Sequence, residues 1–493
     1  MLFSHRHPER IMAADPKHGF LALNRFGLGG RADGDLAAAS ADPRGFLLAE
    51  LADPGAAWLA GPDLPATPAA LKIFFADQEE KRLARAQADA AMRVAADPPV
   101  PPDNRMTPEP AVPMAAADAK KPPSPEQQIY RAEALARLRR ATTVRAGFVE
   151  RLVAFWSNHF CVSAAKGGFV RIAAGAFERE AIRPHVTGRF VDMLLAVESH
   201  PAMIYYLDNQ QSAGADSPAG RRPNRGLNEN LAREILELHT LGVDGGYTQD
   251  DVRSLANIIS GWTFAGREGK SGDPGSPIFF ANYHEPGPQR LLGQTYAQQG
   301  RDQGEAALRA LARHPATARH IATKFVRHFV ADDPPPALVL TLSDVFTRTD
   351  GDLAALATAL VKSDAAWDAS SPKIRDPWQF VVASMRLSGF TPPDPNPALG
   401  ALTLLGQPLW SPPGPNGFSD LTAAWATPEG MKTRLDIANR IASRIPGDTN
   451  PVDLLDALAG SAASASTRQA LSRAASRAQG LTLLLMSPEM QRR

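Results

Sequence analysis

The sequence of 493 residues contains one cysteine, Cys161. A single thiol cannot form a disulfide within the chain, and it cannot supply the several thiolates of a zinc–thiolate site. An intrachain disulfide and a zinc–thiolate site are therefore excluded as stabilising features. This cysteine usage fits a reducing compartment.

Long apolar runs are also missing. No stretch approaches the roughly 18 apolar residues that predict a membrane-spanning helix. The first twelve residues include Arg6, Glu9 and Arg10 and lack the apolar segment of a secretory signal. The sequence therefore predicts no membrane span and no signal peptide, and we expect the protein in the cytoplasm.

The sequence also lacks an excess of positive or negative charge. Lys and Arg number 53 and Asp and Glu 52, which leaves a formal net charge of +1. Binding to nucleic acid through phosphate contacts needs a basic excess, so we expect no nucleic-acid partner. Hydrophobic residues make up 44% of the chain, enough for a sizeable core.

Helical periodicity dominates what is present. Apolar residues recur at three- and four-residue spacing from Arg145 to Phe160, and Thr248 followed by two aspartates is typical of a helix N-terminus. Strand patterns are limited to Ile278–Tyr283 and Leu291–Gly293. The sequence therefore predicts an all-α protein, a multi-helix globular body with at most one small β-hairpin and a C-terminal helical extension.

Composition divides the chain into four parts. Residues 95–125 are dense in Pro and Ala and read as a linker or mobile insertion, because they bury too little apolar area to fold alone. An N-terminal helical part at 1–94 precedes them, and a central helical core at 126–390 follows. A Pro-rich stretch then leads into a C-terminal helical part at 391–493.

The most informative segment is Asn228–Gly242. Placed on a helix, Leu231, Ile235 and Leu238 form an apolar side. The opposite arc is polar and consists of Glu229, Asn230, Arg233, Glu234 and Glu237. One interpretation is a solvated face with ion pairs four residues apart. The other is a cleft in which Arg233, Glu234 and Glu237 are catalytic and Glu229 and Asn230 bind substrate.

Two histidines project toward apolar surroundings. His239 and Asn228 lie near the apolar side of the Asn228–Gly242 helix, and His159 follows an aromatic stripe with Lys166 close behind. A core histidine is often purely structural. If His159 and His239 meet, however, they form a general acid–base pair or hold a divalent metal through neutral imidazoles.

Asp208 and Asn209 end another short helical segment, just before a Gly/Ser/Arg-rich stretch at Ser212–Arg225. The simplest interpretation is a helix terminus. The functional one is the rim of a substrate pocket that the stretch gates, with Asn228 and Lys166 also binding substrate.

At these segments the sequence resembles the bacterial family named domain of unknown function 1800. The matching pieces are LNRFGLGG (Leu23–Gly30), FWSNHFCVSAAK (Phe155–Lys166), SHPAMIYYLDNQQS (Ser199–Ser212), the block Gly226–Val252, SGWTF (Ser260–Phe264), HEPGPQRLLG (His284–Gly293) and HPATARHIATKFVRHF (His314–Phe329). The resemblance covers nearly the whole chain and implies one family-wide unit.

The resemblance carries no established activity. It implies a sulfatase-like partner family and, for many relatives, export by the twin-arginine route, whose signal this sequence lacks. The segment Asn228–Leu241 also resembles animal-type haem peroxidases, but without a clear distal Asp–His pair or proximal histidine, so haem is not expected.

Two functional hypotheses remain. The first is an enzyme with a His/Asn/Glu polar site inside a helical fold, with hydrolytic, metal-dependent or redox chemistry on an unknown small molecule. The second is a non-enzymatic binding or assembly protein that offers the charged helix face to a protein partner.

Overall fold

The computed structural model describes residues 15–96 and 122–493 and confirms the all-α class. The expected linker falls almost entirely outside these ranges, and the four-part division stays a prediction. Among the described residues, no helix combines the length and apolar character needed to cross a bilayer.

The helices are short and numerous. The first set comprises α1 (Pro16–Leu21), α2 (Asp35–Ala41), α3 (Pro43–Leu51), α4 (Thr67–Ala96), α5 (Pro125–Thr143), α6 (Phe148–His159), α7 (Gly168–Phe177), α8 (Phe190–Glu198), α9 (Pro201–Tyr206), α10 (Asn230–Glu234), α11 (Gln249–Ile258) and α12 (Arg301–Ala312). The second set comprises α13 (Pro315–Phe329), α14 (Pro336–Arg348), α15 (Leu353–Lys362), α16 (Pro377–Leu387), α17 (Asn396–Leu404), α18 (Thr422–Trp425), α19 (Pro428–Ala442), α20 (Pro451–Ala459), α21 (Ala465–Ser472), α22 (Arg477–Leu485) and α23 (Pro488–Gln491).

Irregular helical turns join several of these helices. Three are π-helices: π1 (Ala22–Phe26), π2 (Glu178–Ile182) and π3 (Ile235–His239). The 3₁₀ turns are Ala164–Lys166, Arg183–His185, Asn209–Gln211, Ala281–Tyr283, Asp364–Trp367 and Gly460–Ala462. Single π turns occur frequently at functional sites, and each of the three carries a buried polar residue.

Local chemistry explains where helices begin. The predicted helix at Arg145–Phe160 is present as α6, and Thr248 caps α11 by accepting a hydrogen bond from Asp251 N. Two His-Pro-Ala segments use an imidazole in the same way. His200 Nδ1 accepts from Ala202 N at 3.1 Å, and His314 Nδ1 accepts from Ala316 N at 3.2 Å.

The strands form two antiparallel pairs where the sequence predicted at most one hairpin. β1 (Trp262–Phe264) pairs with β2 (Pro277–Phe279), and β3 (Gln289–Leu291) pairs with β4 (Gln294–Tyr296). Leu292 and Gly293, expected within a strand, form the two-residue turn between β3 and β4. Both have positive φ, 49° and 79°, as a tight hairpin turn requires.

Two hydrophobic cores organise the chain. The first core is built from buried side chains between Leu21 and Trp367. The second core contains residues of α16, α17 and α19 to α23, together with Ala134, Leu138 and Ala141 of α5 and Leu28 from the N-terminal part. The second core thus packs the C-terminal helices onto elements from early in the sequence.

Arg386 of α16 joins the second core to the N-terminal part. Its side chain is 1% exposed and donates four hydrogen bonds of 2.6–2.9 Å to the carbonyls of Gly29, Ala141, Val144 and Arg145. Each buried carbonyl gains a charge-assisted partner, so this one side chain fixes three segments against each other.

An ion network fills part of the first core. Arg183 bridges two buried glutamates, with contacts of 2.7 and 2.9 Å to Glu150 and of 3.0 and 3.1 Å to Glu178. Glu178 also accepts from Ser157 and Trp410 and lies 3.2 Å from Arg137. Glu178 enters this network as the first residue of π2. The network borders a cavity of about 70 Å³.

Candidate functional site

His159 and His239 lie side by side in the first core. They end α6 and π3, their ring centroids are 6.2 Å apart, and their exposures are 2% and 1%. His159 Nε2 lies 3.2 Å from the carbonyl oxygen of His239, so this nitrogen carries the proton and donates it. The buried Nδ1 of His159 has no hydrogen-bond partner within the described ranges.

Glu198, which the sequence did not single out, holds His239 in place. It is the last residue of α8, is fully buried, and its Oε1 lies 2.8 Å from His239 Nδ1. In the neutral imidazole, a carboxylate at this distance holds the proton on Nδ1 and leaves the lone pair on Nε2. The pair therefore has the orientation of a histidine prepared to act as a base or a ligand.

His320 and Lys324 approach the same cluster from α13. His320 Nε2 lies 3.0 Å from the carbonyl oxygen of Leu238, and its ring centroid is 6.2 Å from that of His159. Burial, with a smaller effect from Lys324, lowers the pKa of His320 to about 4 and that of His159 well below its usual range. Both imidazoles are thus neutral at neutral pH.

Three further titratable groups of this region have raised pKa values. Burial raises the pKa of the half-buried Glu234. Burial also raises the pKa of Tyr206 and raises that of Cys161 to about 12. Glu234 therefore holds its proton to a higher pH than an ordinary glutamate, as a proton donor requires.

π3 determines which side chains of this segment reach the core. A π turn contains one more residue than an α turn, so the face of the segment shifts at Ile235. Leu231, Ile235 and Leu236 are buried, whereas Leu238, expected on the apolar side, is only half-buried. The same turn carries His239 inward to Glu198.

The polar arc of this segment separates into two groups. Glu234 is half-buried, and its pKa is raised by that burial. Arg233 instead contacts the half-buried Glu229 at 3.2 Å and the exposed Gln249 at 3.0 Å. Glu237 accepts a 3.4 Å hydrogen bond from Tyr247, and Asn230 is exposed. Arg233 and Glu237 thus contact partners outside the histidine cluster, and a catalytic role for Glu234 stays a prediction.

The residues predicted to bind substrate at the pocket rim or beside it have mainly structural contacts. Asn209 is buried and donates to the carbonyls of Ile259 and Trp262, and Lys166 forms a 2.7 Å ion pair with Asp208. Asn228 Oδ1 accepts from Asn230 N at 2.9 Å, which is a turn-capping contact. Asn228 Nδ2 lies 3.4 Å from the carbonyl of Asp208. These contacts tie α9 to α10.

Divalent metal binding is the second chemistry that the sequence predicted for His159 and His239. In the described part of the chain, no group of three or more His, Cys, Asp or Glu residues is placed so that it could hold a metal ion. The unprotonated nitrogens of the two imidazoles remain potential ligands, and metal binding by them stays a prediction.

Gly242 packs against the His320 imidazole, and this contact leads to a stability prediction. Its φ is +86°, and a Cβ built there would lie 2.7 Å from His320 Nδ1. We expect Gly242→Ala to lower the free energy of unfolding by about 2–3 kcal/mol, because it adds backbone strain and displaces the imidazole. Urea unfolding measures the loss of stability, and the NMR signal of His320 reports the displacement of the imidazole.

Gly246→Ala is the matched control. Gly246 has a similar φ of +82° but no atom within 4 Å of a built Cβ. It should cost only the backbone strain, about 1 kcal/mol, and leave the His320 signal in place. Equal losses in the two variants would show that Gly242 does not support His320.

The fold and this cluster define an all-α protein with a buried, carboxylate-oriented histidine site. The profile of the family described as "Protein of unknown function (DUF1800)" matches residues 21–492, and the chain belongs to this family. Comparisons with curated proteins and with solved structures found no match.

Proposed function

We propose that the protein is an enzyme of the proton-transfer type, with His239 as general base. The buried Glu198–His239 pair carries the proposal, because the 2.8 Å contact occupies Nδ1 and orients Nε2, the nitrogen that a neutral imidazole then offers as a base. A fully buried carboxylate is costly to maintain. His159 and His320, in the same cluster, instead contact backbone carbonyls.

Hydrolysis is the reaction class that these groups support best. His239 Nε2 takes a proton from water while the water oxygen adds to the carbonyl carbon of an ester or amide. The protonated Glu234 then donates its proton to the departing oxygen or nitrogen. The raised pKa of Glu234 suits the acid role, and the Nε2 lone pair of a neutral His239 suits the base role.

A binding or assembly role is the second candidate. Glu229 accepts from both Arg233 and Gln249, and Arg253 lies 3.8 Å away, so a partly exposed charged network covers the outer side of α10 and α11. Such a network could meet a protein partner, and the sulfatase-like family suggested by resemblance is one such partner. Exposed pairs of this kind contribute little to stability.

The two proposals are separated by one variant series. Wild type and His239→Gln are assayed on chromogenic esters, anilides and phosphoesters, and we expect His239→Gln to lower kcat/KM on the accepted class by at least about 100-fold. Glu234→Gln should lose activity mainly on substrates with poor leaving groups, which need the proton most.

His314→Asn is the control for this series. Asn can accept from Ala316 N as His314 does, so α13 should keep its start and the variant its activity. Equal kcat/KM in wild type and His239→Gln would refute the proposed base. A wild type that is inert toward every substrate class would favour the assembly role.

A further inference from the structure

A pocket in the second core lies apart from the histidine site. Its volume of about 570 Å³ falls within the range of small-molecule sites. The walls come from α16, α17, α19 and the Pro-rich turn after α16. Its lining is predominantly aliphatic, with Met385, Ala401, Leu404, Ile437 and Ile441 among the contributing side chains.

Two arginines line the same pocket. Arg440 lies near the end of α19 and Arg444 four residues later, and both side chains are exposed. Within residues 15–96 and 122–493, neither guanidinium forms a salt bridge with a carboxylate. The one acidic residue of the lining, Asp394, already accepts from Asn396 N at 3.1 Å and Asn396 Nδ2 at 2.8 Å.

We propose that this pocket binds an amphipathic monocarboxylate of the fatty-acid class. The aliphatic walls match a hydrocarbon chain, and Met385 can adapt to its shape. The two guanidinium groups match a carboxylate, because each planar fork can donate two N–H bonds to it. An apolar pocket with two unpaired cations thus complements one apolar body with one anionic head.

The charge of the head group gives the first test. Isothermal titration calorimetry of the full chain with decanoate, below its micelle concentration, should show saturable one-to-one binding. Decan-1-ol, which has the same chain without the charge, should bind at least tenfold more weakly. Arg440→Gln/Arg444→Gln should remove that difference by weakening decanoate binding at least tenfold.

A pocket-filling variant tests the apolar part. Ala401 is half-buried in the wall, and Ala401→Phe should weaken decanoate and decanol binding alike. Lys432→Gln is the matched control, because Lys432 is an exposed cation of α19 outside the lining. It should bind decanoate like wild type.

Three results would overturn the proposal. The first is absence of saturable decanoate binding to wild type, and the second is unchanged binding in both pocket variants. The third is a concentration-dependent dimer, without decanoate binding, that dissociates in Ala401→Phe, which would assign the pocket to a second copy of the chain. The site is independent of His239, so His239→Gln should bind decanoate normally.

Discussion

Replacing Arg183 with methionine is expected to lower the free energy of unfolding by about 3–5 kcal/mol. Arg183 is 3% exposed and contacts both Glu150 and Glu178, which are equally buried. Without the Arg183 guanidinium, each buried glutamate keeps one other arginine nearby. Arg137 lies 3.2 Å from Glu178, and Arg140 lies 3.7 Å from Glu150. Urea unfolding at pH 7 measures the loss.

An exposed arginine provides the control for this experiment. Arg189 pairs with Asp350, and the two side chains are 49% and 38% exposed. Arg189→Met should therefore cost less than about 1 kcal/mol. Adding Glu150→Gln to Arg183→Met should recover part of its loss, because one buried carboxylate, Glu178, then remains with the buried Arg137 as its partner. A similar small loss for Arg183→Met and Arg189→Met would contradict the network's importance.

Acid is expected to destabilise the protein well above the pH at which carboxylates titrate. Burial lowers the pKa of His320 and of His328 to about 4 from an ordinary value of 6.5. Between those values the unfolded chain binds the proton and the folded chain does not, so stability falls as pH decreases. For each histidine, the free energy of unfolding falls by roughly 3 kcal/mol on going from neutral pH to pH 4. About 2 kcal/mol of this loss occurs between pH 7 and 5.

His320→Gln isolates one of these contributions. The glutamine amide can still donate to the carbonyl of Leu238, but it cannot titrate. Urea unfolding at half-unit steps from pH 7 to 5 should show a shallower pH dependence in the variant, by about 2 kcal/mol over the interval. Parallel curves for the variant and wild type would mean that His320 takes up its proton equally in both states.

The sequence predicted the helices well where a local pattern determines them. The apolar spacing before Phe160 and the cap at Thr248 both appear in the structure because they depend on residues within one or two turns. The turn at Leu292–Gly293 was missed because a short apolar run does not distinguish a strand from a tight hairpin turn.

The candidate site was only partly predictable. His159 and His239 were identified from their apolar surroundings, but their meeting depends on a contact across 80 residues. Glu198 and His320 were missed because each contacts a group more than 40 residues away. A buried polar residue at the end of an apolar helix, as at Glu198, is the one local signal that could have identified it.

The arrangement of the second core has a consequence for synthesis on the ribosome. Leu28 packs among helices that begin at Pro377, Gly29 bonds to Arg386, and Asn24 bonds to Arg375. Residues 24–29 therefore emerge some 350 residues before these partners are translated. An extending chain keeps apolar surface exposed throughout that time, so its yield in cells depends on chaperones that shield the early segment until the last helices arrive.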